Sequence, residues 1–220
     1  MRKRLEKPPI DDRLLDTAID QFGRYGFEAA STRAIAAAAE TAMSSITYHY
    51  GGKEGLYLAA AHHIARQVSE GTEASRAAAE AFLHANPGID GAVEAIARIL
   101  DGFAELMTSD RSTPWARFIV REQMNPGPAF DILYSELMKQ RADLVTSLLQ
   151  RIGGGRFDEA EARVKALALF GQVLVFRVAR ATVLRVTGWT DVTSVEAAEI
   201  RHTVRAHTIA ILENIRGDRA

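Results

Sequence analysis

Apolar residues recur every three to four positions along most of the chain, and strand-like alternation is hard to find, so the pattern predicts an all-α protein. Leu15, Ala18, Ile19 and Phe22 fall at i, i+3, i+4 and i+7 and make one apolar stripe, with Gly26 placed as a left-handed cap. Turn formers gather at YGFEAAS, YGGKEG, HANPGIDG, RSTP, NPGP, IGGGRFD and TGWTDVTS. They leave about nine helices, near residues 12–25, 32–39, 43–50, 54–83, 89–109, 114–124, 128–152, 158–187 and 194–216. The first three are short and the later ones long, and no repeat of fixed period is visible. The expected organisation is a small helical domain over residues 1–58 and a larger one over 59–220. Residues 54–70 act as connector, with a possible bend near Gly71.

The third segment, MSSITYHY, departs from the usual amphipathic balance. Ile46 and Tyr50, four residues apart, face a small core, which turns Ser44, Ser45, Thr47, Tyr48 and His49 outward to varying degrees. Three short helices joined by tight turns, the last offering hydroxyls and aromatic rings, form the helix-turn-helix arrangement whose recognition helix enters the DNA major groove. Hydroxyls and ring nitrogens suit base edges and phosphates, and methyl or ring surface suits thymine. Ser31 is placed to cap the second helix, and Thr32 and Arg33 sit in its exposed first turn. Gly51 and Gly52 end the third helix, and the ammonium of Lys53 follows where a phosphate could meet it. The bland alternative is a solvated helix in an ordinary bundle.

Charge neither demands nor excludes this reading. The formal net charge is −1, and residues 1–60 carry eight Lys+Arg against eight Asp+Glu. Residues 1–7 concentrate four positive charges against one negative, a basic arm ahead of the first helix. With no cysteine, disulfides, thiolate metal sites and a cysteine nucleophile are excluded. The N-terminus lacks an apolar signal core, and the most apolar window, ALALFGQVLVF at 166–176, falls short of the roughly 20 residues a bilayer crossing needs. The expectation is a cytoplasmic protein with no membrane partner.

Residues 13–57, RLLDTAIDQFGRYGFEAASTRAIAAAAE followed by SSITYHYGGKEGLY, resemble the DNA-binding domain of the TetR/AcrR family of bacterial transcriptional regulators. The shared pattern is an R-x-x-I-L-x-A-A run ending in F-x-x-x-G-F/Y, then T-x-R-x-I-A, then Y-x-H/Y-F-x-x-K-E-x-L. Carried over by position, the resemblance implies that Thr32 and Arg33 touch the backbone or groove edge. It implies further that Met43, Ser44, Ser45, Thr47 and Tyr48 line the recognition surface, and that His49 and Lys53 hold phosphates. Two positions depart from the pattern: Glu40 stands where the family usually has Gly, and Ala42 where it has a Ser or Thr cap. A β-carbon at a position needing positive φ costs about 1 kcal/mol, and an anion beside DNA weakens binding. PWARFIVREQMNPGPAFDILY and FGQVLVFRVAR look like the C-terminal domain of the CecR (YbiH)-like branch.

In the larger domain Phe103 and Met107 lie one turn apart, as do Phe130 and Tyr134, while Trp115, Phe118, Ile119 and Glu122 recur at helical spacing. With Gln123, Gln172 and Phe176 they are the candidates for a ligand cavity of unknown contents, although each aromatic alone is more readily core. Val173, Leu174, Val175 and Phe176 make the predicted helix over 158–187 apolar nearly all round, which a second copy of the chain would explain. The last helix offers Val204, Ile211 and Ile215 as a matching stripe, and Arg177, Arg180 and Arg185 are expected near that interface in ion pairs.

No P-loop, dinucleotide fingerprint, H-E-x-x-H or G-x-S-x-G segment is present, and the adjacent His62 and His63 diverge on a helix. No enzyme activity, cofactor or metal is expected. The resulting reading is a homodimeric, ligand-released repressor binding a palindromic double-stranded DNA operator and a small-molecule inducer, its chains paired through the last two helices. The competing reading is a helical small-molecule-binding or interaction protein without DNA binding, which leaves the polar third helix idle.

Overall fold

The computed structural model describes residues 10–85 and 87–217, and the basic arm over residues 1–7 lies outside them. Every regular element among them is helical: α1 (Ile10–Ala29), α2 (Thr32–Ala38), α3 (Met43–Tyr50), α4 (Lys53–Ala85), α5 (Ile89–Thr108) and α6 (Ser112–Met124), then α7 (Pro128–Leu133), α8 (Lys139–Gly153), α9 (Glu159–Val178), α10 (Arg180–Thr187) and α11 (Ser194–Gly217). They form two compact units. One holds the described residues up to Arg66 together with Pro114–Glu136; the other holds Gln67–Thr113 and the chain from Leu137 onward. Residues 114–136, placed in the larger domain by a boundary at 58, therefore pack with the N-terminal helices.

The first unit closes over Leu14, Ala18, Ile19, Phe22, Ile35, Ile46, Leu56, Ile64 and Phe118, all of them buried. Gly26 has φ 80° within α1, where the chain kinks. Carbonyls freed near this kink are taken up by Arg121, which donates to Gly23 O at 2.9 Å and Arg24 O at 2.7 Å. A β-carbon on Gly23 would stand 3.1 Å from Arg117 Cβ and 3.3 Å from two α6 backbone atoms, so glycine lets α1 and α6 pack backbone to backbone.

The second unit is built around α5, whose Ala92, Ala95, Ile96, Leu100 and Ala104 are buried and which touches α8, α9 and α11. Arg201 donates to both carboxylate oxygens of Asp101 at 3.0 and 2.8 Å, and Arg205 reaches Glu94 at 2.7 Å, tying α11 along α5. Gly102 lets α4 approach α5 closely: a β-carbon there would fall 2.1 Å from Ser75 Oγ.

Five expectations change. The helix predicted over 128–152 is divided, because a π-helical turn at Tyr134–Met138 separates α7 from α8. That over 158–187 breaks at Ala179 (φ −101°, ψ 30°) into α9 and α10, bent by 80°. By contrast α4 runs unbroken through Gly71. Arg177 is not a surface ion-pairing group. Only 6% exposed, it donates to Met107 O, Ser109 O and Thr113 Oγ1 at 2.6, 2.5 and 2.7 Å and so collects the carbonyls at the end of α5. Val204 belongs to the core of its own unit at 2% exposure, whereas Ile211 is exposed, so the expected stripe on the last helix is not one face. Among the described residues no single helix is long and apolar enough to cross a membrane.

Candidate nucleic-acid interface and ligand cavity

The turn between α2 and α3 sets the recognition segment. Thr41 N donates to Ala36 O at 2.9 Å and Glu40 N to Ala37 O at 3.1 Å, the paired bonds of a Schellman cap. The residue at its centre needs the left-handed conformation, and Glu40 has φ 52°, positive among the described residues at no other non-glycine. Its carboxylate lies 3.7 Å from Arg13. α3 then starts at Ala42, in extended conformation and with no side chain to cap the helix, and ends at Gly51 with φ 72°. Gly55 holds that end against the start of α4, since a β-carbon would sit 1.8 Å from Tyr50 O, a contact with backbone that no rotamer relieves.

Within α3 Ile46 is buried, Tyr50 and Ser45 are half-buried, and Met43, Ser44, Thr47, Tyr48 and His49 are exposed. Tyr48, at 85%, carries the most exposed large ring of the described residues and stands edge-on to the His49 ring, with centroids 4.9 Å apart. Burial, and after it the carboxylates of Asp11 and Asp12, raise the Tyr50 pKa, so this phenol stays neutral and serves packing. On α2 Arg33 is exposed and Thr32 half-buried beside the Ser31 cap, whose Oγ accepts from Ala34 N at 3.4 Å. These eight residues, with Lys53, share the first unit. Lys53 is already engaged: its ammonium donates to Glu28 O at 2.9 Å and lies 4.8 Å from the Phe27 ring centroid.

The cavity candidates separate. Trp115, Phe118, Ile119, Glu122, Gln123, Phe130 and Tyr134 belong to the first unit, Phe103, Met107, Gln172 and Phe176 to the second. In the first unit Phe118 is buried in a ring cluster, 4.8 Å from Tyr57, which also meets Phe22 at 4.7 Å and Phe27 at 5.1 Å. Glu122, 6% exposed, accepts the Tyr57 hydroxyl at 2.5 Å through Oε1, while its buried Oε2 has no hydrogen-bond partner among the described residues. Burial first, then this hydrogen bond, push the Tyr57 phenol well above its ordinary range. Phe130 and Tyr134 stack at 6.1 Å. Of the adjacent histidines, buried His63 lies 3.1 Å from Asp16, and His62 pairs with Glu136 at 2.9 Å.

In the second unit residues of α4, α5, α8 and α9 line a cavity of about 410 Å³ that is partly open to solvent. Of the eleven candidates, Phe103 alone lines it, packed edge-on against Phe170 at 5.5 Å. Met107 is buried, Gln172 is spent on Thr208 Oγ1 at 2.8 Å, and Phe176 is half-buried elsewhere on α9. The remaining lining includes Ser69, Thr72, Ser75, Leu144 and Arg141, none of which the periodicity singled out. Lys139-Gln140-Arg141-Ala142-Asp143 reads as a solvated helix face, and nothing local marks its arginine as inward.

Two family models match: "Bacterial regulatory proteins, tetR family" over residues 14–60, and "HTH-type transcriptional dual regulator CecR, C-terminal domain" over residues 92–215. The chain is 34% identical over 204 residues to the HTH-type transcriptional dual regulator CecR of Shigella flexneri, covering 92% of this chain and 91% of that one. Among solved structures it is similar to a TetR-family transcriptional regulator from Streptomyces coelicolor, with TM-score 0.62, 19% identity and coverage of 94% and 96% of the two chains. It is also similar to the multidrug binding protein EbrR complexed with imidazole, with TM-score 0.53, 22% identity and coverage of 95% and 96%.

Proposed function

The chain belongs to the TetR family of bacterial transcriptional regulators, with a C-terminal domain of the CecR type, and from that premise we propose that it is a homodimeric, ligand-released repressor reading a palindromic operator in the cytoplasm. The observation that carries the reading is the division of α3: Ile46 is its one buried residue, and Met43, Ser44, Thr47, Tyr48 and His49 are exposed on a helix fixed at its end by a glycine contact. A helix with so little of itself in the core has its other surface available to a groove. Thr32, Arg33 and Ser45 extend the contact, His49 meets a phosphate, and Lys53 does so with the ammonium hydrogens that its bond to the Glu28 carbonyl leaves free.

A homodimer supplies the second reading head, and the exposed apolar residues of α9 are the surface that supports it: Val164, Leu167, Leu174, Val175 and Val178. α4 runs from the first unit into the second, since Lys53–Ala85 spans the boundary at Arg66. A ligand favouring one arrangement of this helix shifts the population of DNA-competent dimers by its difference in affinity for the two states. The imidazole complex of EbrR, a multidrug binding protein of similar fold, supports the small-molecule-binding part of this reading.

The test is a gel shift on the gene's own upstream region with wild type, Arg33→Ala and Tyr48→Ala. The expected result is retardation by wild type and at least about fivefold weaker binding by each variant at unchanged helicity, since losing a base or phosphate contact costs about 1–3 kcal/mol. Undiminished binding by both variants moves the interface off α2 and α3.

A further inference from the structure

The cavity in the second unit is lined by a guanidinium that, among the described residues, no carboxylate pairs with directly. Arg141 reaches it from α8, and its guanidinium is half-buried. Nη1 donates to Leu137 O at 2.8 Å, and Nη2 donates to Thr72 Oγ1 at 3.1 Å and Ser69 Oγ at 3.4 Å. All three acceptors are neutral, and among the described residues no carboxylate forms an ion pair with this arginine. The other two charges on the lining cancel, because Glu73 and Arg76 hold each other at 2.7 and 3.0 Å. Arg76 also bonds Glu80, and the Glu73 carboxylate attracts Arg141 through space, so among the described residues Arg141 is the charge of the lining that has no direct ion-pair partner. Burial, and after it the Arg76 cation, lower the Arg141 pKa against the opposing pull of the Glu73 carboxylate.

A guanidinium half removed from water without a direct counter-ion carries a cost, and a planar fork of donors matches a carboxylate. Away from Arg141 the walls change character: Ile99, Phe103, Leu144 and Phe170 offer apolar and aromatic surface. The volume of about 410 Å³ suits a small organic ligand, since such sites run about 300–1,000 Å³. One net positive charge matches a monoanion, and the Glu73 carboxylate on the lining disfavours a dianion.

We propose that this cavity binds a hydrophobic monocarboxylic acid, its carboxylate seated on Arg141 and the Ser69 hydroxyl and its apolar body against Phe103 and Phe170. This rests on the reading of a ligand-controlled regulator and gives its ligand a chemical class.

The experiment is calorimetric titration of the full chain with 4-phenylbutyrate and octanoate, and with the amide, amine and phosphate-ester analogues of the phenyl compound. The acids are expected to bind at least tenfold more tightly than the amide and the phosphate ester, and the amine not at all. Arg141→Gln removes the preference of acid over amide, Arg141→Lys retains part of it, and Phe103→Trp, by filling the cavity, weakens acid and amide alike. Circular dichroism checks each variant's fold. Acid and amide of equal affinity, undiminished acid affinity in Arg141→Gln, or no heat from either acid overturns the proposal. The gel shift of ligand-free wild type is scored separately, so a regulator that binds DNA but no acid refutes the ligand class alone.

Discussion

Glu40 occupies the left-handed centre of the α2 cap, φ 52°, where a side chain costs roughly 1–2 kcal/mol relative to the right-handed form. Replacing it with Gly relieves that strain but frees the unfolded chain by about 0.4–1 kcal/mol and loses the exposed 3.7 Å pair with Arg13, worth at most about 1 kcal/mol. The terms nearly cancel, so Glu40→Gly changes stability by less than about 1 kcal/mol in either direction. The charge has no such offset. An anion about 7 Å from a phosphate repels it by roughly 0.6 kcal/mol in water and more near protein, so both Glu40→Gly and Glu40→Gln bind operator DNA about two- to fivefold more tightly at low salt. Equal affinities for wild type and Glu40→Gln in a fluorescence-anisotropy titration would place Glu40 away from the duplex. Tyr57 gives a pH prediction. Its phenol is raised above the ordinary value of 10.0 by burial and by Glu122, so the fold prefers the neutral form. That contribution is complete below pH 10 and fades above it, as the unfolded chain ionises first. Tyr57→Phe is expected to melt lower at pH 7, because the Glu122 carboxylate loses its donor at a cost of about 1–3 kcal/mol, yet to lose less melting temperature than wild type between pH 9 and pH 11. Parallel alkaline curves for the two proteins would contradict this.

At the scale of elements, the ends of α3 show what local sequence can and cannot encode. Its span, its buried Ile46 and its glycine stop follow from helical period and the Gly-Gly pair, because those features act within one turn. Lys53 reads as a free ammonium in the sequence, since its partner carbonyl is 25 residues away on α1. The same limit explains the cavity. Spacing shows that Phe118 and Glu122 share a helix face but not that Tyr57 covers it, and it cannot turn Arg141 inward. The break at Ala179 has no proline or glycine to announce it. The uncapped start of α3 was legible, and it has a measurable consequence: Ala42 is extended with no side-chain bond to the helix, so Ala42→Ser supplies the missing acceptor and adds about 1 kcal/mol. In a chain of this size that raises the melting temperature by roughly 2–4 °C. A calorimetric scan showing no gain would mean that the first N–H groups of α3 are already satisfied by water at no cost.

For the whole molecule the open question is what covers α9. Val164, Leu167, Leu174, Val175 and Val178 are 66, 63, 38, 45 and 56% exposed, and they recur at intervals of three, four and seven residues along one side of the helix. Gly171 lies on that side too, with no atom within 4 Å of where its β-carbon would be. Scattered apolar residues need no explanation, but a continuous stripe on one helix marks an association surface. A twofold pairing puts the same stripe from both chains together, so one substitution acts twice. Leu167→Glu therefore buries two carboxylates in a single interface, and it is expected to convert the dimer to a monomer in sedimentation velocity while leaving helicity intact. The consequence for DNA is larger than for stability. One α3 reads one half-site, and two held about 34–36 Å apart read the palindrome with the second contact made nearly intramolecular. The monomer should therefore lose at least about a hundredfold in affinity for a two-half-site operator but keep wild-type affinity for an isolated half-site. Unchanged sedimentation of Leu167→Glu would show that the chains pair through another face or not at all, and a half-site loss as large as the full-site loss would show that the substitution had damaged the reading head itself.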